Sequence, residues 1–285
     1  MFLFRILPKT WLEKRAEYAF FLGWTYSIIS IIIAALIFPR DPSLVAIAFT
    51  SIMLLPELRK MFKLKSEELS EEKRFSIRRL FHLNKDFVKT YIFLSLGIFL
   101  VYATAAIILP SFQVNRLFQT QLGVRGIYGG AIGFPILLFW SIFLNNWWVL
   151  LACFLLSLFT GDGGIFMITW NLSVWGTIFG VLARNASFGM GTNPLFLFLI
   201  IILIVGPHGF LEILSYILGA ISGGMIMKGF RKEGFRSEKF RTLLYYNLAL
   251  LMIAINVLIL GGLVETFVLD NSGLYREIIA MSYPG

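Results

Sequence analysis

The longest apolar stretch of the chain, residues 195–227, is interrupted near its middle by Gly206-Pro207-His208-Gly209, and Glu212 follows one helical turn after the histidine. Residues 195–205 alone would form about 16 Å of helix, which is about half a bilayer. An ionisable side chain in the membrane centre costs at least about 2.5–3.5 kcal/mol, and a Gly-Pro break frees backbone groups that lipid cannot satisfy. The stretch therefore predicts a broken or re-entrant helix pair at residues 206–209, packed against other helices.

The composition indicates that the whole chain is a membrane protein. Its mean hydropathy is +0.80, 58% of its residues are hydrophobic and 14% are charged, whereas a soluble domain carries about a quarter charged residues. We predict an all-α, polytopic transmembrane helical bundle with seven to nine membrane segments. The apolar runs are 18–38, 43–58, 91–109, 127–144, 149–160, 165–183, 195–205, 209–227 and 243–264. The count is nine if residues 195–205 cross the membrane, and seven plus a re-entrant hairpin if residues 195–227 enter and return.

The net charge of +9 is concentrated in three short polar stretches. Residues 1–17, 57–90 and 228–241 hold four, ten and six Lys or Arg, which together are twenty of the 25 basic residues. This distribution is the positive-inside pattern. It favours anionic lipid headgroups over nucleic acid as the partner of these charges. We expect a multi-pass protein of the cell membrane with a cytoplasmic N-terminus and an extracytoplasmic C-terminus.

The chain divides into four predicted regions. They are an N-terminal transmembrane hairpin (1–58), a basic cytosolic or interfacial helical insert (59–90), a transmembrane core (91–268) and an extracytoplasmic tail (269–285). In the insert, residues 75–89 alternate apolar and basic side chains at roughly helical spacing. That pattern is typical of a basic amphipathic helix lying on the membrane surface. It could serve as a surface linker or as a docking helix for a partner.

Six polar residues in or near the apolar runs form a candidate intramembrane site: His208, Glu212, Asn171, Asn247, Asn256 and Glu265. His208 and Glu212 are four residues apart and share a helix face. That face could hold a buried His–Glu hydrogen bond, a proton relay or substrate site, or a metal. The metal is the least favoured, because the other histidine, His82, lies in the cytosolic insert. We expect Glu212 to meet a polar group of another span, with the three asparagines as the favoured donors.

Two further patterns concern helix packing and turns. Asn145-Asn146-Trp147-Trp148 predicts a turn between two spans at a membrane interface, because Trp is enriched there. Three glycine pairs have the spacing that permits close helix approach: Gly129/Gly133, Gly176/Gly180 and Gly219/Gly223. Packing within the bundle is favoured over dimerisation for these pairs.

No standard catalytic signature occurs in the sequence. It contains no H-E-x-x-H, G-x-S-x-G or G-x-x-x-x-G-K-[ST] motif. Cys153 is the single cysteine and lies in an apolar run, where a buried packing role is expected. We therefore expect no catalytic residue, no cofactor, no metal and no enzymatic activity.

The motifs together resemble the stage II sporulation protein M family of integral membrane proteins. The specific part is Pro207-His208-Gly209-Phe210-Leu211-Glu212. The other matching positions are Asn145-Asn146, Gly161, Gly219 and Gly262-Leu263-Val264-Glu265-Thr266-Phe267. The resemblance covers about residues 91–268. It implies a membrane protein without established catalysis, whose namesake is regarded as an anchor for cell-wall-degrading partners during engulfment. Relatives occur in organisms that never sporulate.

Two functional classes follow. The first is a non-enzymatic membrane scaffold that recruits partners in envelope or membrane remodelling. The alternative is a transporter or channel with a polar intramembrane site at His208 and Glu212, because broken helices with ionisable residues mark such sites. An intramembrane enzyme acting on lipid is disfavoured for lack of a nucleophile.

Overall fold

The structure, a computed structural model, describes residues 16–70, 76–128 and 135–282. Within these ranges the chain forms ten α-helices and no strand. The helices are α1 (Tyr18–Ile37), α2 (Pro42–Ser70), α3 (Ile77–Ile108), α4 (Ser111–Leu117), α5 (Gln119–Tyr128), α6 (Pro135–Thr160), α7 (Gly164–Met190), α8 (Pro194–Glu233), α9 (Glu238–Asn271) and α10 (Gly273–Ser282).

Six of the helices in the described ranges are long and apolar enough to cross a membrane, namely α1, α3, α6, α7, α8 and α9. Helix α2 has an apolar first half, but Pro56 and Glu57 end that half and a basic second half follows. The prediction of an all-α membrane protein is confirmed. The predicted seven to nine segments are not confirmed: two pairs of the nine predicted runs are each one helix, and the run 43–58 in α2 is not among the six candidate spans.

The first merged pair is α6. The turn predicted at Asn145 and Asn146 does not occur, because α6 is helical from Pro135 to Thr160. Opening a helix inside lipid leaves several backbone groups without a partner, at several kcal/mol each. Keeping the helix leaves only the asparagine side chains to satisfy, and the Asn146 amide is bonded within the protein. The continuous helix is therefore the less costly arrangement.

The second merged pair is α8, and it corrects the prediction of a broken or re-entrant helix. The helix continues through Gly206, Pro207 and Gly209 without interruption. Proline removes one N–H and frees one carbonyl, that of Leu203, while each glycine costs about 1 kcal/mol relative to alanine. A full break would leave more backbone groups unpaired in lipid, so the helix persists. Its first turn is capped by Asn193, whose side chain accepts a hydrogen bond from the Leu195 N–H at 2.8 Å.

The surface helix predicted over residues 75–89 is also not a separate element. From Ile77 onward these residues are the first turns of α3, which continues to Ile108. Leu80 and Phe87 are buried against the protein, and the Phe87 ring packs on Phe62 of α2 with centroids 4.6 Å apart. Residues 71–75 of the insert lie outside the described ranges. Two residues of the predicted apolar stripe, Leu80 and Phe87, are thus covered by protein, whereas Phe81 is exposed.

The long helices form two groups of three. Helices α1 and α7 both pack on α3, helices α6, α8 and α9 pack on one another, and the α7–α8 contact joins the groups. Helix α2 contacts members of both groups. The apolar core runs through both, and it includes Cys153, which is fully buried as predicted.

One end of the bundle, which we call the basic end, gathers the charged loops. The Arg59 guanidinium of α2 binds the Asp162 carboxylate of the α6–α7 turn at 2.6 Å. Lys228 of α8 lies over the Phe62 ring at 5.9 Å. Gly161 allows the three-residue turn, since its φ of +92° is unfavourable for other residues. These contacts place residues 59–62, 161–163 and 228 together.

The other end of the bundle, which we call the opposite end, is joined by side chains that bond backbone carbonyls. The Ser43 hydroxyl donates to the Leu117 carbonyl at 2.9 Å, and Arg184 Nη1 donates to the Leu109 carbonyl at 2.9 Å. The Ser282 hydroxyl of α10 donates to the Leu182 carbonyl at 3.1 Å. Helices α4, α5 and α10 therefore lie at the opposite end.

Close helix contacts form at two of the glycine pairs. A Cβ at Gly180 would lie 2.6 Å from the Ala103 carbonyl oxygen of α3, and Gly176 makes a similar contact. Gly223 and Gly219 pack on Phe154 and Leu150 of α6. Packing within the bundle is thus confirmed for these pairs. Gly129 and Gly133 lie outside the described ranges.

Gly223→Ala should destabilise the protein by about 1–3 kcal/mol, because the added methyl would overlap the Phe154 carbonyl and force α6 and α8 apart. Gly206→Ala on the same helix is the matched control, since its nearest heavy atom would be Ile202 Cγ2 at 3.7 Å. Denaturant unfolding of both purified variants in detergent measures the difference. Equal stability of the two variants would contradict this α6–α8 packing.

Candidate polar site inside the bundle

One face of α8 carries a buried stripe of polar and small residues. His208, Glu212, Ser215 and Ser222 are all buried. Their spacing places them on roughly the same face of the helix. The other side of the helix exposes large apolar side chains, with Leu203 77% exposed. The polar stripe therefore points into the protein, and the apolar side points to lipid.

Glu212 is the centre of a cluster built from three helices. Asn146 of α6 donates from Nδ2 to Glu212 Oε1 at 2.7 Å. The Glu265 carboxyl of α9 lies within hydrogen-bonding reach of the Glu212 carboxyl. Gly261, one turn before Glu265, makes room for this approach, since a Cβ there would lie 3.4 Å from Glu212 Cγ. The expectation that Glu212 meets a polar group of another span is met by Asn146 and Glu265.

The contact between the two carboxyl groups requires a proton. Two ionised carboxylates offer only acceptors and repel each other, so a hydrogen bond between them needs at least one protonated group. Sharing one proton leaves a single negative charge spread over the pair, and the Asn146 amide donates to it. Shared protons of this kind are found in other enclosed carboxyl pairs.

The cluster lies near the middle of α8. Glu212 is about 24 Å along the helix from Lys228 at the basic end, and about 27 Å from Pro194 at the opposite end, at 1.5 Å per residue. Glu212 is only 4% exposed and Asn146 8% exposed, while Glu265 is half-buried. Glu212 and Asn146 are thus enclosed by protein, and Glu265 is partly covered.

His208 lies one turn from Glu212 but is not hydrogen-bonded to it. Its side chain is 7% exposed, and Nδ1 has no hydrogen-bond partner among the described residues. The Ser215 hydroxyl, on the same face, is likewise buried without a partner there. The buried His–Glu hydrogen bond considered above is therefore not formed. Two unused polar atoms lie beside the carboxyl pair instead.

The three asparagines favoured as donors to Glu212 do not reach it, and that prediction is wrong. Asn171, Asn247 and Asn256 donate to the carbonyls of Met167, Leu243 and Met252, each at 2.8 Å and each four residues earlier on the same helix. An asparagine in a helix can satisfy its amide in this way without a second helix. Asn256 is moreover exposed on the lipid side of α9.

Asn146 is the site residue that the sequence reasoning missed. The Asn145-Asn146 pattern predicts a turn at the membrane interface, so Asn146 is not among the six residues of the predicted intramembrane site. Reading residues 135–160 as one span would have placed Asn146 near mid-membrane, at the same level as Glu212. The sequence contains a signal for this shared level. Asn146 precedes Asp162 by 16 residues, and Glu212 precedes Lys228 by the same 16 residues. Asp162 and Lys228 both lie at the basic end.

The cluster offers two carboxyl groups and an amide, with an imidazole one turn away. No group of three or more His, Cys, Asp or Glu side chains placed to hold a metal ion is found within residues 16–70, 76–128 and 135–282. The chemistry that the described atoms support is the binding and transfer of a proton, or the pairing of one negative charge with a small monovalent cation.

Asn146→Leu should destabilise the protein by about 1–3 kcal/mol, because the buried carboxyl pair loses its amide donor. Asn256→Leu is the matched control: that amide is exposed and bonded to its own helix, so a change within about 0.5 kcal/mol is expected. Denaturant unfolding in detergent measures both. A stability loss for Asn256→Leu as large as that for Asn146→Leu would argue against the inter-helix role of Asn146.

Comparison with known proteins assigns the chain to a family. No curated protein and no solved structure matches it. A model of the family described as stage II sporulation protein M matches residues 45–268, a wider range than the predicted 91–268, since it begins within α2. The matched range includes Asn146, Glu212 and Glu265 and covers well over half of the 285 residues. The chain therefore belongs to the stage II sporulation protein M family of membrane proteins.

Proposed function

We propose that this chain is a non-enzymatic integral membrane scaffold, which anchors partner proteins that act in envelope or membrane remodelling. The observation that carries the proposal is the enclosed Asn146–Glu212–Glu265 cluster. Its side chains connect α6, α8 and α9. The Asn146 amide contacts the Glu212 carboxyl, and the Glu212 carboxyl contacts the Glu265 carboxyl. A rigid bundle with an internally bonded centre suits a platform for other proteins.

The position of one open cavity among the described residues agrees with the same proposal. The cavity has a volume of about 490 Å³ and lies at the opposite end, beside Arg184 and Pro110. None of its lining residues belongs to the cluster. A transporter needs access from a membrane face to its intramembrane site, and this cavity does not supply it.

We propose an orientation with the basic end in the cytoplasm. Twenty of the 25 basic residues lie in residues 1–17, 57–90 and 228–241, and basic loops remain on the cytoplasmic side. Helix α2 then serves as a seventh crossing, in addition to the six candidate spans. With seven crossings, the N-terminus lies inside and α10 lies outside. This agrees with the position of α10 at the opposite end of the bundle.

The cytoplasmic surface that we propose for partner or anionic-lipid binding is the exposed basic side of α3. Arg78 and Lys85 are exposed there, and Phe81 is 57% exposed beside them. Aromatic residues and arginine are enriched in protein interfaces. The buried side of the same turns packs on α2, so the surface is held rigidly.

Charge reversal of Arg78 and Lys85 to Glu should reduce partner recovery at least ten-fold when the tagged protein is purified from its own cells in mild detergent. The matched control reverses Arg236 and Lys239, which are exposed at the same end, and changes the net charge equally. Quantitative mass spectrometry of the co-purified proteins measures the recovery. The control should retain the partner that the α3 variant loses.

Purification of the protein alone under several detergents and cross-linking conditions would refute the scaffold. Equal loss of partner in both double variants would show that only general charge matters and would refute the α3 surface.

A second candidate function is proton-linked transport, which the unpartnered His208 Nδ1 and Ser215 hydroxyl favour. Buried polar atoms without partners are rare and often adjoin an unplaced water or ion. Beside a carboxyl pair that holds a proton, they would extend a proton path along α8.

Glu212→Gln separates the two functions. The glutamine amide can still donate to Glu265, so the helices stay tied, while the exchangeable proton of position 212 is lost. Under the scaffold proposal, thermal stability and partner recovery remain within two-fold of the unchanged protein. Liposomes holding a pH-sensitive dye measure proton movement. A proton flux in the unchanged protein that disappears in Glu212→Gln would establish transport in place of the scaffold.

A further inference from the structure

The cavity at the opposite end contains an arginine without an acidic partner. Arg184 is 9% exposed and lines the cavity. Its Nη1 donates to the Leu109 carbonyl at 2.9 Å and its Nε contacts Asn185 Oδ1 at 3.5 Å. Within the described residues, no carboxylate lies within 4 Å of it. A buried cation normally has a counter-charge, and the described residues supply none to Arg184.

The other lining groups fit the polar end of an anion. Ser111 and Thr192, which carry hydroxyl groups, also line the cavity. Pro194, the first residue of the 40-residue helix α8, also lines it. The N-terminus of a helix carries partial positive charge, which adds to that of Arg184.

The rim of the cavity is apolar. Ile108 is 75% exposed and Phe188 is 81% exposed, and both line the cavity. They lie at the ends of two candidate spans, where lipid acyl chains begin. A ligand that satisfies the whole site therefore has an anionic head and an apolar tail beside it.

We propose that this cavity binds the phosphate group of an anionic phospholipid from the leaflet at the opposite end. The lipid phosphate pairs with the Arg184 guanidinium and accepts from the nearby hydroxyls, while its acyl chains lie along Ile108 and Phe188. Arg184 keeps its bond to Leu109, so the bound lipid joins α3, α7 and the start of α8. The inference does not depend on the scaffold proposal.

The test uses the full chain in an uncharged detergent. Its thermal stability is titrated with dioctanoyl phosphatidylglycerol, with dioctanoyl phosphatidylcholine and with inorganic phosphate. Phosphatidylglycerol should stabilise the protein at a concentration at least ten-fold lower than either other compound. The choline cation cancels the headgroup charge, and inorganic phosphate lacks the tail.

Arg184→Gln should raise the phosphatidylglycerol concentration for half-maximal stabilisation at least ten-fold, because it removes the charge and keeps one donor for Leu109. The matched control is Arg116→Gln at the same end; Arg116 also donates to a carbonyl, that of Pro39, but does not line the cavity. The control should respond like the unchanged protein.

Ser111→Trp provides an independent variant, since Ser111 is exposed and lines the cavity, so the indole would occupy the cavity while Arg184 is retained. It should also lose the lipid response, and it decides the test if Arg184→Gln does not fold. An unchanged response in the Arg184 or Ser111 variant would overturn the proposal. So would an equal loss in Arg116→Gln, or stabilisation by inorganic phosphate as strong as by phosphatidylglycerol.

Discussion

The arrangement of the bundle depends on how a carboxyl group can be satisfied inside hydrocarbon. A carboxylate offers only acceptors, and the N–H groups in the middle of a helix are already used by the helix itself. The backbone of its own helix therefore offers Glu212 no donor. Glu212 finds the Asn146 amide on α6 and the Glu265 carboxyl on α9. This need fixes both the rotation of the three helices and their relative height.

The same reasoning separates the site residues that could be predicted from those that could not. Glu212 and Glu265 were identified because charged residues in apolar runs are costly. The prediction that Asn171, Asn247 and Asn256 donate to Glu212 is wrong. An amide, unlike a carboxylate, can donate to a carbonyl four residues earlier on its own helix. A polar side chain in a span thus predicts an inter-helix contact only when its own helix cannot satisfy it.

The predicted helix ends at two positions are wrong for a related reason. Gly206-Pro207 and Asn145-Asn146 are turn signals in water, where freed backbone groups bond to solvent. In lipid those groups have no alternative partner, so the cost of opening exceeds the roughly 1 kcal/mol per glycine and the one lost bond at proline. The fold class, the spans without such signals and the internal glycine packing at Gly176 and Gly223 were predictable, because they depend on apolar length and on close contact alone.

The arginines outside the three basic stretches add a further constraint on how the membrane crossings are arranged. Helices α1, α3 and α9 all end at the opposite end, where their last carbonyls carry partial negative charge. Arg116, Arg184 and Arg276 donate to carbonyls at or just beyond these three helix ends, namely those of Pro39, Leu109 and Leu269. A cation at a helix C-terminus is favourable whichever side of the membrane it faces. Arg116 and Arg276 are therefore explained by local capping. None of the three arginines weakens the charge asymmetry that the three basic stretches create.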